Sequence, residues 1–156
     1  MKTLQISPDE AARQAMQTPM QLRVTAAQAE LLKRPHLDCP LDHEFTNQFY
    51  LRTVHVPAGA LVISKIFKAE FPFFISKGKV SVWVEGVGVK HMEAPYWGMT
   101  SPASRRVIMC HTDVDWTTFH RTDSKNEEQV EAEVIYNPEK DVPLDITPEM
   151  LQELKG

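Results

Sequence analysis

Long apolar runs are missing from this chain. No stretch in its 156 residues approaches the roughly 18 consecutive apolar residues of a membrane-crossing helix, so no membrane partner is expected. An excess of basic charge is missing too. Lys and Arg number 17 against 21 Asp and Glu, a net charge of -4, which removes the electrostatic footprint of non-specific nucleic-acid binding. Cysteine is scarce. Cys39 and Cys110 stand alone without CxxC spacing, and reduced thiols in a cytoplasmic protein are the expectation. The opening MKTLQISPDEAARQ has a lysine but no apolar core behind it, so it is not read as a secretory signal. Gly-rich phosphate loops, nucleophile elbows and zinc-ribbon spacings are absent. None of the six histidines forms an HxH or HxxxH pair.

Proline, by contrast, is plentiful. Eleven prolines punctuate many short elements, which suits an all-β core better than a helical bundle. Residues 1–36 read as an N-terminal helical arm. Ser7-Pro8-Asp9-Glu10 supplies a serine cap, a first-turn proline and a glutamate three residues on. A second run, from Met20 to Lys33, places Leu22, Ala26, Ala29 and Leu32 near one face, and Pro35 ends it. Residues 37–136 read as a β domain of about nine short strands. Among them are Phe49–Val56, Leu61–Phe67, Lys79–Val84 and Val130–Ile135. In Lys79–Val84 the valines share one face and Ser81 and Trp83 the other. Residues 137–156 form a C-terminal extension with one short helix, capped by Thr147, whose apolar side is Met150, Leu151 and Leu154.

Two glycine-bounded stretches carry a resemblance. Between Gly59 and Gly78 lies ALVISKIFKAEFPFFISK, and further on comes Pro102-Ala103-Ser104-Arg105-Arg106-Val107. Their spacing resembles the two motifs of the cupins, which implies a double-stranded β-helix, or jelly roll. Cupins that hold a metal ion do so with His-x-His and a glutamate in the first motif and a histidine in the second. Here those positions read Lys65, Phe67, Phe71 and Val107. A lysine, two phenyl rings and an isopropyl group do not replace three imidazoles and a carboxylate, so no metal and no other cofactor is expected. Phe67, Phe71, Phe73 and Phe74 are instead candidates to fill the interior; in a regular strand Phe71 and Phe73 share one face and Phe74 the other, unless Pro72 breaks that register. Residues 43–121, with Tyr50-x-Arg52, Val56-Pro57-Ala58-Gly59, Ala94-Pro95-Tyr96 and Trp116-Thr117-Thr118-x-His120, further resemble small cupin-like proteins of tailed bacteriophages. That resemblance implies a virion component or phage accessory protein, located in the virion or the host cytoplasm.

The leading expectation is therefore a non-enzymatic structural or assembly protein that binds copies of itself or other virion proteins. Its interaction surface would include Leu22, Leu32, Met150, Leu151 and Leu154. Two alternatives stand beside it. One is a small-molecule or carbohydrate-binding module with stacking faces on Tyr50, Trp83, Tyr96, Trp97 and Trp116. The other is an atypical cupin metalloenzyme, with Glu70 and His120 as polar groups near the barrel and His55 as a third ligand. Lys65 reads as a rim lysine, and Arg105-Arg106 as an exposed loop pair.

Overall fold

The computed structural model describes residues 18–31, 33, 37–84, 86–102 and 105–136. The helical run from Ser7, Leu32 and the C-terminal extension with Met150, Leu151 and Leu154 lie outside the described residues. The first described element is helix α1 (Pro19–Leu31). Thr18 starts it: its side-chain oxygen accepts from Gln21 N at 3.2 Å, and proline takes the first helical position. The helix buries Gln21, Val24 and Ala26, whereas Leu22 and Ala29 are half-buried. Arg105 accounts for this rotation. Its guanidinium donates to Thr25 Oγ1 at 2.7 Å and to Gln28 Oε1, so a polar grip takes the place of the aliphatic stripe read from the sequence.

Among the described residues, eleven strands and a second helix follow. They are β1 (Leu41–Thr46), β2 (Phe49–Val56), β3 (Leu61–Ile63), β4 (Ile66–Phe67), β5 (Phe71–Lys77), β6 (Lys79–Val84), β7 (Gly88–Glu93), β8 (Tyr96–Thr100), β9 (Arg106–Cys110), β10 (Val114–Arg121), α2 (Glu127–Val134) and β11 (Ile135–Tyr136). One sheet has the order β1-β2-β10-β5-β8 and the other β3-β9-β6-β7, with a small β4-β11 pair between the elements they leave. Every pairing is antiparallel. The chain changes sheet after β2, returns by way of β4 to β5, and changes again after β5, β7, β8 and β9, and this strand order is that of a jelly roll built from two Greek keys. The all-β, cupin-like architecture read from the sequence is the one observed.

Strand alternation sorts the side chains. Val80 and Val82 of β6, Ile108 and Cys110 of β9, Phe73 and Ile75 of β5, and Val114 and Trp116 of β10 face inward as one core cluster. Each aliphatic or aromatic side chain so buried contributes roughly 1.5–3 kcal/mol relative to exposure. Two local readings are corrected. The segment expected to be a strand at Val130–Ile135 is the helix α2 for most of its length. Its V-E-A-E-V alternation imitates a strand, but Asn126 caps the helix by accepting from Gln129 N at 2.9 Å, and Glu127 and Glu128 suit the first turn. The run Leu61–Phe67 is broken at Ser64-Lys65. There Ser64 N donates to Arg106 O, and Arg106 N donates to Ser64 Oγ, both at 2.9 Å. These bonds end β3 and send β4 to pair with β11.

Candidate functional site

The turn at Ser64-Lys65 decides what the motif residues do. Lys65 is exposed at this corner, while Phe67 and Phe71 are buried together with their ring centroids 4.4 Å apart. Ile135 and Val134 close over them. His120, on the inward face of β10, completes this plug. Its ring lies 4.9 Å from Phe67, 4.7 Å from Phe71 and 5.9 Å from Tyr50, all in the range of favourable aromatic contact. Val107 alternates with the inward Ile108 and so stands on the opposite face of β9, paired with Ile63 and Trp83. Glu70 is exposed before β5. Of the four motif positions, only Phe67 and Phe71 meet inside the barrel.

These residues do not fit the metal ion that the cupin resemblance implies. Among the described residues no three or more His, Cys, Asp or Glu side chains are grouped to hold a metal. His120 shares a hydrogen bond with Thr118 Oγ1 at 2.9 Å. Burial, helped by the positive charge of Arg52, pushes its pKa down to about 4, so it is neutral near pH 7. His55 lies on the outer face of β2. It and Glu70 do not converge with His120.

Three of the four phenylalanines, Phe67, Phe71 and Phe73, enter the interior, the last two as a regular strand requires. Phe74 faces outward opposite Trp97, because β5 runs regularly through Pro72. A cavity of about 210 Å3 remains between β2 and β10 on one side and β3 and β9 on the other. Val54, Val62, Ile108 and Trp116 supply apolar wall, Arg52 and Thr118 line it as polar groups, and the exposed Lys65 also borders it. Arg52 points a buried Nε at no hydrogen-bond acceptor. Arg106, inward on β9, is spread over the Phe73 ring at 5.0 Å and donates through Nη2 to Met99 O at 3.3 Å. Its Nε and Nη1 are buried without an acceptor, and burial pulls its pKa below the usual guanidinium value. Arg105, read from the sequence as exposed, is only 5% accessible beneath α1, and burial lowers its pKa to about 10. Sequence reasoning missed Arg52 and Arg106 as interior cations. The signal available was their even-numbered place beside Val54 and Ile108 in strands that alternate inward.

Three polar groupings lie elsewhere. His43 of β1 hydrogen-bonds the buried Tyr50 hydroxyl through Nδ1, with Glu127 Oε2 3.6 Å from its other nitrogen. On the outer face of β6, Ser81 Oγ joins His91 Nδ1 at 2.8 Å and His111 Nε2 at 2.6 Å. On the other sheet His55 bridges two carboxylates, Asp42 at 2.6 Å and Asp115 at 2.7 Å, and these hydrogen bonds, that of Asp42 first, raise its pKa.

His55 and His120 give opposite pH dependences. The folded pKa of His55 is raised above 6.5, so its contribution is full below about pH 6.5 and is lost as pH rises through the folded value. The folded pKa of His120 falls from 6.5 to about 4, so the unfolded chain takes up the proton first, and stability is lost as pH falls from about 6.5 towards 4. Urea midpoints measured across pH therefore peak near pH 6.5. His55→Asn flattens the alkaline side and His120→Phe the acid side. An acid limb unchanged in His120→Phe would contradict the assignment.

The five candidate stacking residues are dispersed. Tyr50 and Trp116 are buried, Tyr96 packs against Phe73, Trp83 is on the outer face of the four-stranded sheet, and Trp97 is 72% exposed on edge strand β8. They make no shared platform. Cys39 and Cys110 are free thiols, and burial raises the pKa of both, Cys110 to about 11, which leaves them weakly nucleophilic. Among the described residues no helix is long and apolar enough to cross a membrane.

The comparisons with known proteins concern the fold. No family model matches the chain, and no curated protein matches its sequence. Solved structures similar to it include a cupin superfamily protein from Desulfitobacterium hafniense, at 10% identity over 61% of this chain and 87% of that one, TM-score 0.47. Another is an uncharacterised conserved protein with a double-stranded β-helix domain from Klebsiella pneumoniae, at 13% identity over 59% and 80%, TM-score 0.48. A third is a salicylate 1,2-dioxygenase from Pseudaminobacter salicylatoxidans, at 11% identity over 65% of this chain and 32% of that one, TM-score 0.48. The jelly-roll assignment rests on the strand order of the chain itself.

Proposed function

We propose that this chain is a non-enzymatic structural or assembly protein that associates with copies of itself through the outer face of its four-stranded sheet. The carrying observation is the composition of that face. Register aligns Ile63, Val107, Trp83 and Val89 in one cross-strand row, and Leu61 and Met109 begin the next, ahead of Ser81 and His91. The outward face of a sandwich is ordinarily polar. Here six large apolar side chains sit together on it, half-buried or exposed, with Val89 59% accessible. Contiguous apolar surface of this kind marks interaction sites, and a two-fold pairing places the same patch on both copies. A tailed-phage particle is the setting implied by the resemblance of residues 43–121, and an accessory shell or tail component is the role that fits it. The aromatic plug supports the non-enzymatic reading, since it encloses His120 among the rings of Phe67, Phe71 and Tyr50.

Val89→Glu and Met109→Glu test this reading. Each places a carboxylate within the patch, where a two-fold pairing doubles it. Light scattering of the eluting protein is expected to give an oligomer for the wild type and a monomer for the double variant, with unchanged circular dichroism. An unchanged mass in the double variant would refute the assignment of this face.

A further inference from the structure

We propose that the barrel cavity binds a small carboxylate with an apolar body, its anionic end held by Arg52. The argument is one of unmet valence. Arg52, Thr118 and Phe73 are cross-strand partners in one row of the five-stranded sheet, and the Arg106 guanidinium lies over the Phe73 ring from the facing sheet. Two guanidinium groups therefore occupy one layer of the interior. Each has a buried N–H with no acceptor, and no Asp or Glu lines the cavity. A buried charged donor left without an acceptor is costly, and such a group in a folded protein calls for an absent water, ion or ligand. Arg52 and Lys65, in a lining without acidic groups, call for an anion rather than a water.

The walls choose among anions. A dry apolar cavity of about 150 Å3 accommodates benzene, and this one measures about 210 Å3. Inorganic phosphate would meet Arg52 but leave Val54, Val62, Ile108 and Trp116 uncovered. A planar carboxylate takes a bidentate pairing from a guanidinium, while an attached ring or short aliphatic chain covers those side chains. Lys65, exposed and bordering the cavity, is the second cation beside it.

The test uses the full chain with benzoate, its neutral isostere benzyl alcohol, and inorganic phosphate, each titrated by calorimetry and by melting temperature. Benzoate is expected to bind and to raise the melting temperature in proportion to occupancy. Benzyl alcohol and phosphate are expected to bind at least about tenfold more weakly, the loss of one charge-assisted contact. Arg52→Met keeps the aliphatic stem and is expected to lower benzoate affinity at least about tenfold. Val62→Phe fills the cavity with Arg52 intact and is expected to abolish binding, which keeps the test decisive if Arg52→Met fails to fold. Equal binding of benzyl alcohol would reduce the site to an apolar void, and equal binding of phosphate would reduce it to surface cations. Either result, no binding of benzoate, or a folded Arg52→Met with unchanged affinity overturns the proposal. The self-association reading is untouched by any of these outcomes.

Discussion

Phe73→Ala is expected to cost about 3–5 kcal/mol of folding stability, read as a lowered urea midpoint. Phe73 is 2% accessible, and its ring is stacked 4.8 Å from Trp116 and lies 6.1 Å from Tyr96. It also carries the Arg106 guanidinium at 5.0 Å. Truncation removes these contacts, leaves a void that two facing sheets cannot close, and strips a buried cation of the face that balances it. Native domains hold only about 5–15 kcal/mol in total, so a large share of the stability is at stake. Phe74 provides the control. One residue on and facing outward beside Trp97, Phe74→Ala is expected to cost about 1 kcal/mol. Equal losses at the two positions would contradict the register of β5, and with it the description of the interior.

Gly78→Ala is expected to be the second most damaging single change, although it adds only a methyl group. Gly78 has φ +102°, and a Cβ there would stand 2.3 Å from the carbonyl oxygen of Asp113 and 2.8 Å from Val114 Cγ2. A left-handed backbone costs an L-residue about 1–2 kcal/mol, and overpacking adds about 1–3 kcal/mol. The close atom is backbone oxygen, which cannot rotate away as a side chain would. A loss of about 3 kcal/mol in a chain of this size lowers the melting temperature by about 10 °C. Thermal unfolding monitored by circular dichroism measures it. A loss below about 1 kcal/mol would mean that the β5–β6 and β9–β10 crossings are not in contact.

Gly78 also shows what the sequence could disclose. A glycine closing the first motif was readable from spacing alone, and the structure gives its reason: two sheet crossings touch there. The alternation of Val80, Val82 and Val84 was likewise legible, because strand period and burial agree in β6. Residues 130–135 were not legible. Their polar–apolar alternation satisfies a strand template, and only the Asn126 cap and the acidic first turn tip them into α2. The site was half legible. Phe67 and Phe71 were expected inside, and both rings enter the plug around His120. The positions of Lys65 and Val107 depend on a break at Ser64-Lys65 and on the register of β9, which long-range hydrogen bonds set. Arg52 and Arg106 escaped notice because arginine is read by default as a surface residue. Arg105 shows the same bias, since only the docking of α1 makes it buried.

The two proposals place function on opposite sides of one sheet. Outward from β9, Val107 and Met109 offer apolar surface to another copy. Inward from the same strand, Ile108 and Cys110 line the cavity. Alternation lets each set serve its purpose without constraint from the other, so substitutions at odd and even positions of β9 are expected to separate association from ligand binding.

Sedimentation equilibrium of the full-length chain over a dilution series tests the central claim most directly. The account predicts a mass that is a multiple of 17.8 kDa at high concentration and falls towards the monomer on dilution. A mass of 17.8 kDa at every concentration would contradict it.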